Sequence, residues 1–263
     1  MTALARHELG LAAGPTLALF HGNGDSGLCW PGAARRWGTA YRVCGVDARG
    51  HGASPRFAAA EVDRAGEVFA DDAERTLEDL AADGSPVVAV GHSLGAASLT
   101  AVLARRADLL AGAVLIDPPW DTPLVLGPRP EVGAERVGLI RGYQADPDAA
   151  LAGLRERQPD WAPDECEAWV EAKMHLDLAL MASGNGRPAT PWPELVRDIR
   201  TPTLVLTGDD EGCLVGPATR ELLSGCANPA VTVEVVAGAD HYVRQTREAA
   251  FHAVVDPWLA DRF

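Results

Sequence analysis

The stretch VVAVGHSLGAASL (87–99) restricts the fold more than any other part of this 263-residue chain. Val87, Val88, Ala89 and Val90 form an unbroken apolar run of the kind buried on both faces of a parallel sheet, and the small apolar residues from Leu94 onward suit a helix. Between them lies Gly-x-Ser-x-Gly, residues 91–95. A strand that turns this sharply into a helix holds its central residue in a strained conformation with the side chain standing clear, and flanking glycines leave room for the neighbouring backbone. Ser93 is therefore the candidate nucleophile, at the positive end of a helix dipole.

The rest of the chain repeats the theme. Apolar runs at 16–20 (TLALF), 41–47 (YRVCGVD), 86–91 (PVVAVG), 111–117 (AGAVLID), 201–208 (TPTLVLTG) and 231–238 (VTVEVVAG) alternate with amphipathic stretches, as parallel strands joined by helices do. A shorter, more polar strand precedes them near His7. In the last run Val231, Val233 and Val235 alternate with Thr232 and Glu234, which predicts an edge strand. Phe69, Ala73, Leu77, Leu80 and Ala81 make one helical stripe, residues 94–106 a second helix, and Phe251, Val254, Val255, Trp258 and Leu259 a closing one. The strand rhythm stops between 118 and 197. There Cys166, Trp169, Val170, Met174, Leu178 and Met181 fall at helical spacing, with Pro163 suited to a first turn. The expected fold class is α/β: a mostly parallel sheet flanked by helices, its core at 1–117 and 198–263 and a helical cap inserted at 118–197.

Composition excludes several roles. A formal charge of −14 opposes binding to nucleic acid or anionic lipid. No apolar stretch approaches the roughly 20 residues of a membrane span, and the first residues lack a secretory pattern, so a cytoplasmic protein is expected. The five cysteines show no paired spacing and no two of the seven histidines stand at HxxxH or HExxH spacing, so free thiols and no metal are expected. Lys173 is the lone lysine among 23 basic residues, a bias that identifies no partner.

A serine needs a base to take its proton. His241, in VVAGADHYV just after the last strand, is the histidine whose position and chain order suit that task. His21 and His51 belong to turns, His92 precedes the serine and should point elsewhere, and His7, His175 and His252 are read into a strand or helices. Early in the chain, LALFHGNGDSG ends a strand with His-Gly-x-Gly. Backbone N–H groups in that turn, with Asn23 as the chosen donor, and the N–H of Leu94 are placed to hold a developing oxyanion.

In order, HGNG, DARGHGAS (47–54), GHSLG and GADH make the whole chain resemble the α/β-hydrolase superfamily. The second of these is similar to a structural turn common there and carries no expected catalytic role. The resemblance also implies a carboxylate that orients His241. In most of the superfamily it follows the next-to-last strand, where this chain offers Asp209, Asp210 and Glu211, with Glu211 at the usual spacing. A minority branch carries it one strand earlier, and there the chain has Asp117, in LIDPPW. Pro118 and Pro119 remove two backbone donors and fix the chain direction, leaving the carboxylate to accept from an imidazole. Asp117 is the preferred acid; Asp209 and Glu211 are the alternatives.

These residues describe a cofactor-free serine hydrolase that cleaves an ester, lactone, thioester or amide of a small substrate through an acyl-enzyme. The same triad supports a lyase or C–C bond hydrolase, or a ligand receptor with a slow triad. Trp120, Trp161, Trp169 and Trp192 suggest an apolar or aromatic pocket, with Trp120 and Trp169 the candidate lining residues. Residues 118–197 hold 8 basic and 13 acidic side chains, giving no bias toward anions. The expected partner is a small molecule, and a homodimer stays open.

Overall fold

The computed structural model describes residues 3–120, 129–184 and 186–263. Seven strands make one sheet: β1 (Arg6–Glu8), β2 (Thr16–Phe20), β3 (Arg42–Val46), β4 (Val87–His92), β5 (Gly112–Ile116), β6 (Thr203–Gly208) and β7 (Val231–Val236), in the order β1-β3-β2-β4-β5-β6-β7. Only β1 runs antiparallel, against β3. As their continuous apolar character predicts, β2, β4, β5 and β6 are buried throughout, whereas β7 stands at an edge with Thr232 and Glu234 exposed.

Strand side chains alternate between two apolar layers, as the two-residue period requires. On one face Ala18, Phe20, Ala89, Leu115 and Val205 meet α2 (Ala65–Ala81) and α3 (Leu94–Arg105). On the other, Leu17, Leu19, Val90, Ile116 and Leu206 meet α1 (Pro31–Trp37) and the closing helix α11 (Glu248–Ala260). Among the described residues no helix is long and apolar enough to cross a membrane.

Between β5 and β6 the described chain forms α4 (Pro130–Ala145), α5 (Pro147–Arg157), α6 (Pro163–Lys173), α7 (Leu178–Ser183) and α8 (Trp192–Asp198). Proline opens α4, α5 and α6, where a missing N–H costs nothing. The single stripe expected from Cys166 to Met181 is in fact two helices. The first ends at Lys173 and Asp177 opens the second: its carboxylate caps α7 through the N–H groups of Ala179 and Leu180, and also accepts from Phe57 N–H. Cys166 and Val170 then enter one apolar cluster, Leu180 and Met181 another. Helix α8 packs on α3, with Trp192 and Val196 in the same cluster as the sheet. By packing it belongs to the core, although all of it but Asp198 falls within the expected 118–197 cap. Residues 121–128 and 185 of that cap lie outside the described residues. The chain closes with α9 (Pro217–Gly225), α10 (Val243–Thr246) and α11.

Candidate active site

The turn between β4 and α3 has the strain its sequence predicts. Ser93 sits at φ 49 and ψ −109, a region L-residues avoid. A Cβ at Gly91 would stand 2.7 Å from the carbonyl carbon of Gly95, and one at Gly95 would collide with the Phe20 carbonyl. Only glycine fits at both. The Ser93 N–H donates to Ile116 O at 2.9 Å, tying the turn to the end of β5. Leu94 is the first residue of α3, so its N–H has no acceptor within the helix.

One residue beyond Ile116, Asp117 also takes a positive φ, 41°. Its N–H donates to Leu206 O at 2.7 Å, and its carboxylate is fully buried. There it lies 2.5 Å from Nδ1 of His241 and accepts from Thr207 Oγ1 at 2.8 Å and from the N–H groups of Leu214 and Val215 at 2.9 and 3.0 Å. Burial alone would raise this carboxyl's pKa. The hydrogen bond and charge of His241 and the two backbone donors outweigh it and hold the pKa below the ordinary carboxylate value. An ionised carboxylate only accepts, so Nδ1 of His241 carries the proton and Nε2 keeps its lone pair. Asp209 and Asp210 instead accept the N–H groups of Gly238 and Gly212, at 2.7 and 2.8 Å, and with Glu211 they point to solvent. None of the three meets His241. Among the described residues no cluster of His, Cys, Asp or Glu could hold a metal ion.

A sequence model of the alpha/beta hydrolase family matches residues 17–256. The chain belongs to that family. Among curated proteins it is 26% identical over 243 residues to the 2-(acetamidomethylene)succinate hydrolase of Mesorhizobium japonicum, covering 89% of this chain and 84% of that one. It is 31% identical over 242 residues to lipase LipV of Mycobacterium tuberculosis, covering 87% and 81%. A crystal structure of E-2-(acetamidomethylene)succinate hydrolase superposes with a TM-score of 0.76 at 24% identity, covering 98% of this chain and 95% of that one.

Several side chains of this α/β-hydrolase hold the site together without having been marked for it by sequence. His21 accepts the Ala48 N–H at Nε2 (2.9 Å) and donates from Nδ1 to Gly22 O (2.7 Å). His51 accepts the Gly24 N–H at Nε2 (3.1 Å) and donates to Arg49 O (3.0 Å). Together they brace the turn that carries Asn23, which stands exposed at its crest. The DARGHG turn thus holds the HGNG turn in place through hydrogen bonds. His92, which precedes the serine, donates from its Nε2–H to the backbone carbonyl of His241 at 3.0 Å. Burial pushes the pKa of His51 down to about 3 and that of His92 down to about 4, so both stay neutral.

Lys173 at the end of α6 is buried. Its ammonium reaches Gly24 O at 2.5 Å and Asp25 Oδ1 at 3.0 Å, and lies 3.8 Å from the Trp169 ring centre. The lone lysine therefore ties the insertion to the turn that carries Asn23. Trp169 also donates weakly to Tyr242 Oη, 3.4 Å away, next to His241. Trp120 is not brought to a pocket: it is 1% exposed and stacked on Trp192, with ring centres 5.1 Å apart, in the core between sheet and helices. Its sequence signal, a large aromatic just past the candidate acid, is the same for a core residue as for a pocket wall.

Proposed function

We propose that the chain is a cofactor-free serine hydrolase acting on a carboxylic ester, lactone, thioester or amide. The observation that carries this reading is the buried Asp117–His241 pair at the end of the strand adjoining the Ser93 turn. Ser93 Oγ attacks the substrate carbonyl while His241 Nε2 takes its proton, and Asp117 stabilises the imidazolium without itself gaining the proton. Backbone N–H groups of Asn23 and Leu94 receive the tetrahedral oxyanion. His241 then protonates the leaving group, and a water deprotonated by the same imidazole releases the acid and restores Ser93. The insertion between β5 and β6, joined to the oxyanion loop through Lys173 and to the histidine loop through Trp169, acts as a cap over the site.

The test is labelling by a serine-directed fluorophosphonate, followed by turnover of a panel of p-nitrophenyl esters, lactones and N-acyl amides. Stoichiometric labelling at Ser93, lost in Ser93→Ala, is the expected result. Labelling that survives that substitution removes Ser93 from the reaction.

A further inference from the structure

Gly133, Arg136, Val137 and Ile140 lie on one face of α4, at the spacing i, i+3, i+4, i+7. Gly133 and Ile140 are buried, and Val137 packs with Ile140 into a cluster that contains Leu94, the residue after Ser93. Arg136 thus occupies an inward position on a helix seated over the serine turn. Its charge also interacts with the Tyr242 phenol, which follows His241 in the chain.

A half-buried guanidinium in such a place should have an anion. Elsewhere this protein obeys that rule: Arg244 pairs with Glu165, Arg49 with Asp72 and Lys173 with Asp25. Arg136 has no hydrogen bond or ion pair among the described residues. Its charged neighbours are further cations, Arg129 and Arg187. Arg187 has a partner of its own, but the Nε of Arg129 is buried with none. Burial first, and then these two charges, push the Arg136 pKa below its ordinary value, so an anion beside the guanidinium would be favoured there. Gly186, just before Arg187, brings that segment to the same place, since a Cβ on it would stand 3.3 Å from Leu94.

We propose that Arg136, with Arg129 beside it, binds a carboxylate carried by the substrate, so that the enzyme acts on acyl compounds with a carboxylate remote from the scissile carbonyl. This deepens the serine-hydrolase reading and rests on it. The planar guanidinium fork matches a carboxylate in two parallel hydrogen bonds, which fixes orientation as well as affinity. It departs from the expectation drawn from the insertion's net charge. Thirteen acidic against eight basic residues give an acidic total, but a total does not record that Glu131 and Glu135 on α4 are exposed while Arg136 is half-buried.

The test compares the mono-p-nitrophenyl ester of glutaric acid with neutral p-nitrophenyl valerate, as the ratio of their kcat/KM within each protein. Hydrogen bonds to a charged group of about 1.5–3 kcal/mol correspond to a preference of roughly 10- to 150-fold for the charged ester in the wild type. In Arg136→Met the ratio should fall to near one, chiefly through KM, and Arg136→Lys should restore part of it. A ratio within one protein is insensitive to how much of each variant folds. A wild-type ratio at or below one, or an Arg136→Met ratio equal to the wild type's, overturns the proposal. If no ester is turned over and fluorophosphonate does not label Ser93, the hydrolase reading fails instead. Glutarate then supplies the remaining measurement: a thermal shift in the wild type that Arg136→Met loses supports the anion site, and its absence from the wild type overturns it.

Discussion

The ends of β5 and β6 lie side by side, and each carries acid. After β5 there is one carboxylate, Asp117, with no exposure and with donors on both oxygens. After β6 there are three, Asp209, Asp210 and Glu211, all exposed. Number and spacing favour the second group; environment favours the first. The β6 loop also serves the β5 acid, because the Leu214 and Val215 N–H groups and the Thr207 hydroxyl all point at Asp117. A carboxylate able to orient an imidazole has to be ionised while buried, and that requires fixed donors rather than more negative charge.

The largest effect that could break this contrast is Asp117→Asn. The amide can present N–H to Nδ1 and so favours the wrong imidazole tautomer; in the well-studied serine-protease case such a change lowers kcat by about 10⁴. The same order is expected here, measured on the best ester of the panel, with circular dichroism and Tm run in parallel because a buried group is being altered. A folded Asp117→Asn with near-normal turnover would move the acid off β5.

That Asp117 was legible at all comes from strand chemistry. A strand read as buried on both faces, ended by one acid and two prolines, has few uses for that acid, and the registers β4 to β5 and β5 to β6 follow from apolar runs of similar length. The serine turn was legible for the same reason: its two glycines are demanded by contacts within a few residues or with the adjoining strand. What stayed hidden depends on partners far along the chain. Lys173 finds Asp25 across 148 positions, and nothing near either residue announces it. His21 and His51 look alike in sequence whether they catalyse or brace. The stripe from Cys166 to Met181 keeps helical spacing straight through the Asp177 break, because periodicity does not register a side chain that competes for backbone N–H groups.

Acid pH should separate the two strand ends by a smaller amount. The unfolded chain protonates His51 and His92 near pH 6.5, whereas the folded protein keeps them neutral down to about pH 3 and about pH 4. The unfolded state therefore binds more protons as pH falls below about 6.5, and stability drops, by up to roughly 1.4 kcal/mol per pH unit for each such histidine, until the folded forms protonate too. Asp117 behaves as a depressed carboxyl: its contribution is present above its ordinary value of 3.8 and is lost as pH falls through the lower folded value. Urea titrations from pH 7 to pH 3 should thus show wild type and Asp117→Asn falling in parallel at first and converging only at the acid end. A stability that stays flat from pH 6.5 to pH 4.5 would mean that the histidines are hydrated rather than buried.

The smallest effects belong to the acids after β6. Asp209 accepts a single hydrogen bond, from the Gly238 N–H at 2.7 Å, and Asp210 one from Gly212 at 2.8 Å, both in exposed loops. No hydrogen bond or ion pair involves the Glu211 side chain among the described residues. Substitutions at exposed positions of this kind shift stability by about 0.5 kcal/mol or less. Asp209→Asn and Glu211→Gln should therefore keep kcat/KM within about 3-fold of the wild type and track its stability at every pH, since neither touches His241 nor the donors of Asp117. Asp209→Asn is the sharper of the two, because the Gly238 bond ties the β6 loop to the turn leading into the histidine loop. A modest rise in KM or a slight loss of Tm there would record that tether. A fall of about 10³ in kcat in a folded Asp209 or Glu211 variant, with Asp117→Asn spared, would reverse the comparison and place the acid after β6, where most of the superfamily carries it.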